Sequence, residues 1–128
     1  MNLVVESLNE LHNFKKKLDP LSSLGIGQKA IIIKWLDEMN VTYYTIKDNL
    51  VIDVNGDLNL YNKGLNNIPS YIKFDKVNGS FSCSKNKLLS LEGCPETVGS
   101  SFDCRNNKKQ FSEEEVKKVC KVKGNVYV

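Results

Sequence analysis

VNGSFSCSKNKLLSLEGCPETVGSSFDC, from Val77 to Cys104, contains one short phrase twice. Val77-Asn-Gly-Ser-Phe-Ser-Cys83 and Val98-Gly-Ser-Ser-Phe-Asp-Cys104 match position for position, and the phrase recurs on either side as Val54-Asn-Gly-Asp-Leu-Asn-Leu60 and Val122-Lys-Gly-Asn-Val-Tyr-Val128. Self-similarity at a period of about 20 to 25 residues is the signature of a solenoid whose coils stack side by side. No catalytic or metal-binding motif accompanies the repeat, so the sequence speaks first to architecture and to the surface that architecture presents.

In each copy two apolar residues are separated by one polar residue: Leu58 and Leu60, Phe81 and Cys83, Phe102 and Cys104, Val126 and Val128. In a strand such pairs point to one side, so stacked copies send them into the core as ladders. The residues beside them point outward: Asp57, Asn59 and Tyr61, then Ser80, Ser82 and Ser84, then Ser101, Asp103 and Arg105, then Asn125 and Tyr127. One strand per coil, at a spacing of about 5 Å, makes these a single sheet face. Gly56, Gly79 and Gly124 stand before the strands, where glycine lets the backbone turn, and Ser100 departs from that pattern.

After its strand the second copy continues as Cys83-Ser-Lys-Asn86-Lys-Leu88-Leu-Ser-Leu91, the form L-x-x-N-x-L-x-x-L with Cys in first place. This resembles the leucine-rich repeat. The longer run NKLLSLEGCPETVGSSFDCRNNK is similar to short leucine-rich-repeat-like proteins encoded by bacteriophages and some bacteria. The opening SLNELHNFKKKLDPLSSLGIG is similar to the leader that precedes such repeats in phage sequences. The resemblance covers most of the chain and is specific to a fold, not to an activity. It implies that Asn86 and Asn107 are buried and hydrogen-bond backbone groups of the neighbouring coil. It also implies a phage or mobile-element factor that binds and inhibits a bacterial host protein, for example a component of a CRISPR or related defence system. In the first copy the matching place holds Lys63, with Asn62 one residue early, so the asparagine ladder is expected to begin at the second coil. In the third copy Lys109 stands where leucine is expected, and the regular repeat stops there.

The flanks read as helices and a hairpin. Ser7 and Glu10 form a capping box, and Leu8, Leu11, Phe14 and Leu18 share one face of a helix that Asp19-Pro20 ends. Gly25-Ile-Gly27 reads as a turn, because it lacks the further glycine or the Gly-Lys-Ser/Thr of a phosphate-cradling loop. A second helix is expected over Gln28 to Met39, with Ile32, Trp35, Leu36 and Met39 in one stripe, Ile31 widening it and Asn40 ending it in the left-handed conformation. From Val41 to Val54 the period changes to two, with Tyr43, Thr45, Leu50, Ile52 and Val54 alternating with more polar neighbours around a turn at Lys47-Asp48-Asn49. Near the end, Ser112 and Glu115 form another capping box, and Val116, Val119 and Cys120 give a narrow stripe to a helix over Glu113 to Lys121. The expected fold is therefore α/β, a small leucine-rich-repeat-like solenoid of parallel strands with a two-helix N-terminal cap and a C-terminal helix. Residues 1–53 make the cap and β segment, residues 54–128 the solenoid, and together they form one compact unit. The last strand offers an unpaired edge through which two copies could join as a homodimer.

At 128 residues, 41% of them hydrophobic, the chain can bury a core without staples. No apolar run approaches the length of a membrane span, and Met1 to Val5 is too short for the apolar part of a signal peptide, so a cytoplasmic chain with reduced thiols is expected. Structural zinc draws on close pairs such as C-x-x-C. Cys83, Cys94, Cys104 and Cys120 contain no such pair, and they fit a core as small hydrophobes, so no metal or other cofactor is expected. The only histidine, His12, falls beside the solvent face of the first helix, without a nucleophile to serve, which argues against an enzyme. A net charge of +3 is mild for a dedicated nucleic-acid binder. Lys108, Lys109, Lys117, Lys118 and Lys121 nevertheless concentrate positive charge in the C-terminal third, and Tyr61 and Tyr127 could stack bases, so a nucleic-acid-binding accessory protein is the alternative reading, opposed by the acids of Ser112 to Glu115 in the same region. A protein-binding module is the reading that the solenoid favours. Its expected contact residues are Asp57, Asn59, Tyr61, Ser82, Ser84, Asp103, Arg105 and Tyr127, because aromatic and arginine side chains dominate interface hot spots.

Overall fold

The computed structural model describes residues 26–128. The helix expected over Leu8 to Leu18, with His12 on it, lies outside them. The first described element, α1, spans Ile26–Glu38 and so starts before the expected Gln28. Ile26 and Gly27 are helical and not a turn: glycine weakens a helix by about 1 kcal/mol, and packing outweighs that here. Ile32, Trp35 and Leu36 are buried as the stripe requires, with Met39 half-buried beside them. Asn40, at φ 59°, ends the helix as expected. Its N–H donates to Asp37 O at 3.0 Å while Val41 N–H reaches back to Leu36 O at 2.9 Å, the paired bonds of a Schellman motif.

The hairpin follows, with β1 at Tyr44–Ile46 and β2 at Ile52–Val54 paired antiparallel. Its second strand buries Ile52 and Val54 as expected, but the first is out of phase by one residue. Tyr44 and Ile46 pack against the core, whereas Tyr43 is 79% exposed. The cause is a left-handed residue at Tyr43, φ 57°, which re-sets the alternation as the chain enters the strand.

From β2 onward every coil supplies two strands. One series is β2, β4 (Phe74–Val77), β6 (Thr97–Val98) and β8 (Lys121–Val122), and the other is β3 (Leu58–Asn59), β5 (Phe81–Ser82), β7 (Phe102–Asp103) and β9 (Val126–Tyr127). Both series pair in parallel, in the orders β1-β2-β4-β6-β8 and β3-β5-β7-β9, which makes a β-solenoid of about three turns. The register is that of the sequence repeat: Val54 faces Val77, Val77 faces Val98 and Val98 faces Val122, while Leu58, Phe81, Phe102 and Val126 align in the second sheet. One sheet was expected from one strand per coil. Two arise because the chain is extended on both sides of the glycine corner, so each arm pairs with the next coil. Since β2 belongs to the hairpin and to the parallel sheet, the boundary at residue 53 falls inside one sheet.

Three repeated devices hold the coils together. The inward ladder is buried at Leu58, Leu60, Phe81, Cys83, Phe102 and Cys104, with the Phe81 and Phe102 rings edge to face at 5.0 Å, and it fades at half-buried Val126 and exposed Val128. Left-handed residues turn each coil after that ladder, at Asn62, Lys85 and Asn106. Asn62 thus fills the turning position one step before the asparagine ladder. The glycine corners do a different job from the expected one. None of Gly56, Gly79, Gly99 and Gly124 has positive φ, and what the missing side chains of Gly79, Gly99 and Gly124 permit is close stacking. A Cβ on Gly124 would lie 2.8 Å from the Ser100 backbone and one on Gly99 2.2 Å from Asn78 O, so in the third copy the glycine has moved one residue and Ser100 is accommodated.

The last helix, α2, spans Glu113–Val119 with both bonds of the Ser112–Glu115 capping box in place. Val116 and Cys120 are buried as expected, but Val119 is exposed. Lys121 belongs to β8 and not to the helix. At the other end Trp35 of α1 packs on Phe74 of the first turn, ring centroids 6.4 Å apart.

Candidate functional site

The outward residues of the second sheet form a grid because its strands are in register. Asn59, Ser82, Asp103 and Tyr127 stand in one line across the coils. Tyr61, Ser84 and Arg105 occupy the next position along each coil. Tyr61 and Tyr127 are 43% and 40% exposed, at opposite ends of the sheet, with the smaller Ser82 and Ser84 between them. Ser84, expected among the contacts, is only 5% exposed, because its carbonyl accepts from Asn62 N–H and Asn86 Nδ2 and its hydroxyl bonds that of Ser82. Asp57 is partly committed too, accepting from Ser80 N–H at 2.8 Å.

Arg105 is the most constrained side chain on this face. Its Nε and terminal nitrogen donate to the two Asp103 oxygens at 3.0 and 2.7 Å, and its guanidinium lies 5.1 Å from the centre of the Tyr127 ring. Burial raises the Asp103 pKa, but hydrogen bonds from the Arg105 side chain and N–H outweigh it and hold the carboxyl below its usual value. The pair stays ionised at neutral pH. Tyr61 is covered similarly by Lys85, whose Nζ is 5.6 Å from the ring centre.

The basic patch expected in the C-terminal third is dispersed. Lys117 pairs with Glu113 at 2.8 Å and Lys109 with Glu115, both through α2, and Lys121 lies on the other sheet. Lys108 and Lys118 are exposed. What the fold assembles instead is the corner just beyond the second sheet, where residues 61–65, 84–88 and 105–110 stack. These segments carry Lys63, Lys85, Lys87, Arg105, Lys108 and Lys109, and no acid. Lys63, Lys85 and Lys87 were not expected to contribute. The available signal was their recurrence two to four residues after the inward Leu60 and Cys83, a pattern with meaning only once the coils are stacked.

Among the described residues, two clefts open away from the second sheet's outward face. One, of about 330 Å³, lies between Ile68, Pro69, Ile72 and Phe74 with Lys73, Glu92 and Glu96 around it and Cys94 in its wall. The other, about 290 Å³, runs between Leu89, Leu91 and Phe111 and the Val119 side of α2. The four cysteines are free and buried, and no group of three or more His, Cys, Asp or Glu side chains among the described residues is placed to hold a metal ion. A hydrogen bond with Cys83, then burial and the nearby Cys83, Cys104 and Cys120, push the Cys94 pKa well up. Burial first takes Cys104 to about 12 and Cys120 to about 11. Because the thiolate is the reactive form, essentially no thiol of the native chain should react with Ellman's reagent within minutes at pH 8. All four should react in guanidinium chloride. A fast native thiol would show that the coil opens at that cysteine.

Comparison with protein-family models, with curated proteins and with solved structures found no match to the chain. Function is therefore argued from geometry.

Proposed function

We propose that the chain is a non-enzymatic binding module that engages a protein partner with the outward face of its second sheet. The observation that supports this reading is the Arg105 clamp: an arginine held by Asp103 and laid over Tyr127, on a rigid sheet, loses little freedom when a partner docks. Arginine and tyrosine are also the side chains that contribute most to protein interfaces. Tyr61, Asn59, Ser82 and Asp57 extend the surface toward the first coil. Guided by the resemblance to phage repeat proteins, the partner to seek first is a bacterial host protein, with inhibition of a defence component as its consequence.

The test is affinity capture of the tagged chain from a bacterial lysate, with nuclease treatment and high-salt washes, followed by mass spectrometry and titration of the purified partner. Arg105→Ala combined with Tyr127→Ala is expected to weaken that partner at least ~10-fold, since hot-spot truncations cost about 2 kcal/mol or more. Unchanged affinity in the double variant would remove this face from consideration.

A further inference from the structure

We infer that the lysine-rich corner beside the second sheet is a binding site for single-stranded nucleic acid. It goes beyond the protein-binding reading and rests on the lysines of the corner, with Tyr61 the one residue shared by the two. Three coils contribute six cations to this corner through segments that hold no acid of their own. Arg105 is neutralised by Asp103 and Lys109 by Glu115, while Lys63, Lys85, Lys87 and Lys108 make no ion pair with the described residues. Lys87 and Lys108 stand one repeat apart, at equivalent positions of adjacent coils. Parallel coils bring such positions within about 5 Å in the backbone, and like charges stacked so closely repel one another unless an anion lies between them. Backbone bonds from Lys85 N–H to Arg105 O, Lys87 N–H to Leu65 O and Lys109 N–H to Leu88 O prevent the coils from separating to relieve that repulsion.

The chemistry of the surroundings selects the occupant. A protein interface needs an apolar core with charge kept to its rim, whereas this corner exposes lysine, asparagine and arginine. The apolar surface beside it is aromatic: Tyr61, on the same coil as Lys63, is 43% exposed and carries Lys85 over its ring. A cationic track beside an aromatic platform is how single strands are held, phosphates on the track and a base on the ring. Asn86 and Asn107 lie between the lysines but spend their amides on the backbone, so they read no base and the site should show little sequence preference.

The experiment is fluorescence anisotropy of the full chain with a fluorescein-labelled oligothymidine of about 15 nucleotides, long enough for one site. With four cations engaged, affinity should fall about 50-fold between about 50 and 200 mM salt, from a slope of about −0.7 per phosphate on single strands. Lys87→Glu with Lys108→Glu should cost at least ~10-fold and flatten that slope by about 1.4. Lys87→Gln with Lys108→Gln should act in the same direction if charge reversal disturbs folding. Lys76→Glu with Lys121→Glu makes the same change of net charge on the other sheet and should stay within about threefold of the wild type. Tyr61→Ala should weaken binding about fivefold or more through lost stacking. The inference is overturned by absence of salt-dependent binding, by equal damage from the Lys76 and Lys121 pair, or by a polyglutamate of matched charge binding as tightly as the oligonucleotide with no effect of Tyr61→Ala. The last outcome would assign the corner to an acidic protein. The Lys87 and Lys108 variants leave Arg105 and Tyr127 untouched, so the sheet-face reading is tested separately by the Arg105 and Tyr127 pair.

Discussion

Asn86→Ala is expected to destabilise the chain by about 3 to 5 kcal/mol, the largest effect of any single polar substitution in the solenoid. The side chain is 8% exposed and makes five bonds. Its oxygen accepts from Lys63 and Leu65 N–H at 3.0 and 2.9 Å, and its nitrogen donates to Leu60, Cys83 and Ser84 carbonyls at 2.7, 3.0 and 3.2 Å. Removing it leaves at least three groups of the first coil without partners where water has little access, at about 1 to 3 kcal/mol each. A domain of this size has only about 5 to 15 kcal/mol in total. Asn107→Ala should cost less, about 2 kcal/mol, because its site is half-exposed and water can replace part of what is lost. Denaturant unfolding of the two variants checks the ranking. Equal midpoints for Asn86→Ala and wild type would mean that the coils are held by the apolar ladder alone. Asn86→Asp adds a second check, since a carboxylate facing three carbonyls must bind a proton to donate. Its folded-state pKa lies above the unfolded one, so the variant should be more stable in mild acid than at neutral pH.

Gly99→Ala is the second large effect, expected at about 2 to 4 kcal/mol and a fall in Tm of about 10 °C or more. The new Cβ would sit 2.2 Å from Asn78 O, a backbone atom that cannot swing aside. Relief requires the second and third coils to part at the corner, at the expense of the bonds from Gly99 N–H to Val77 O, 2.8 Å, and from Ser100 N–H to Gly79 O, 3.1 Å. Gly56→Ala is the matched control. It stands one residue further along the repeat, at the corner of the first coil, where nothing lies within 4 Å of its Cβ position and its φ is not positive. It should be neutral, or stabilising by up to about 1 kcal/mol through the unfolded chain. Thermal melts of the two proteins distinguish stacking from turning as the role of these glycines, since a turning role would make the two substitutions equally harmful.

Legibility followed the reach of each interaction. The inward ladder from Leu58 to Cys104, the start of the asparagine ladder at Asn86 and the Ser112 capping box appear in the structure where the sequence places them, because each is set by residues close together in the chain. The phase of β1 was lost to one left-handed tyrosine, and exposed Val119 to a helix that ends at that residue. The candidate site was half legible. Arg105 and Tyr127 could be picked out as residue types, but the clamp that joins them to Asp103 spans two coils and required the stacking. Ser84 looked outward by alternation, and only the hydrogen bonds of Asn62 and Asn86 to its carbonyl explain why it is buried.

What the sequence by itself determined is the repeat and its register, down to Val54, Val77, Val98 and Val122 falling in line, because a parallel stack rewards the same residue at the same step of each coil. Only the tertiary structure decided that each coil carries two strands, that glycine serves close approach and not the turn, and that Lys63, Lys85, Lys87 and Lys108 share one corner. These depend on how far apart successive coils sit and how they are offset, and that distance is set by packing across the stack, not by the order of residues along any one coil.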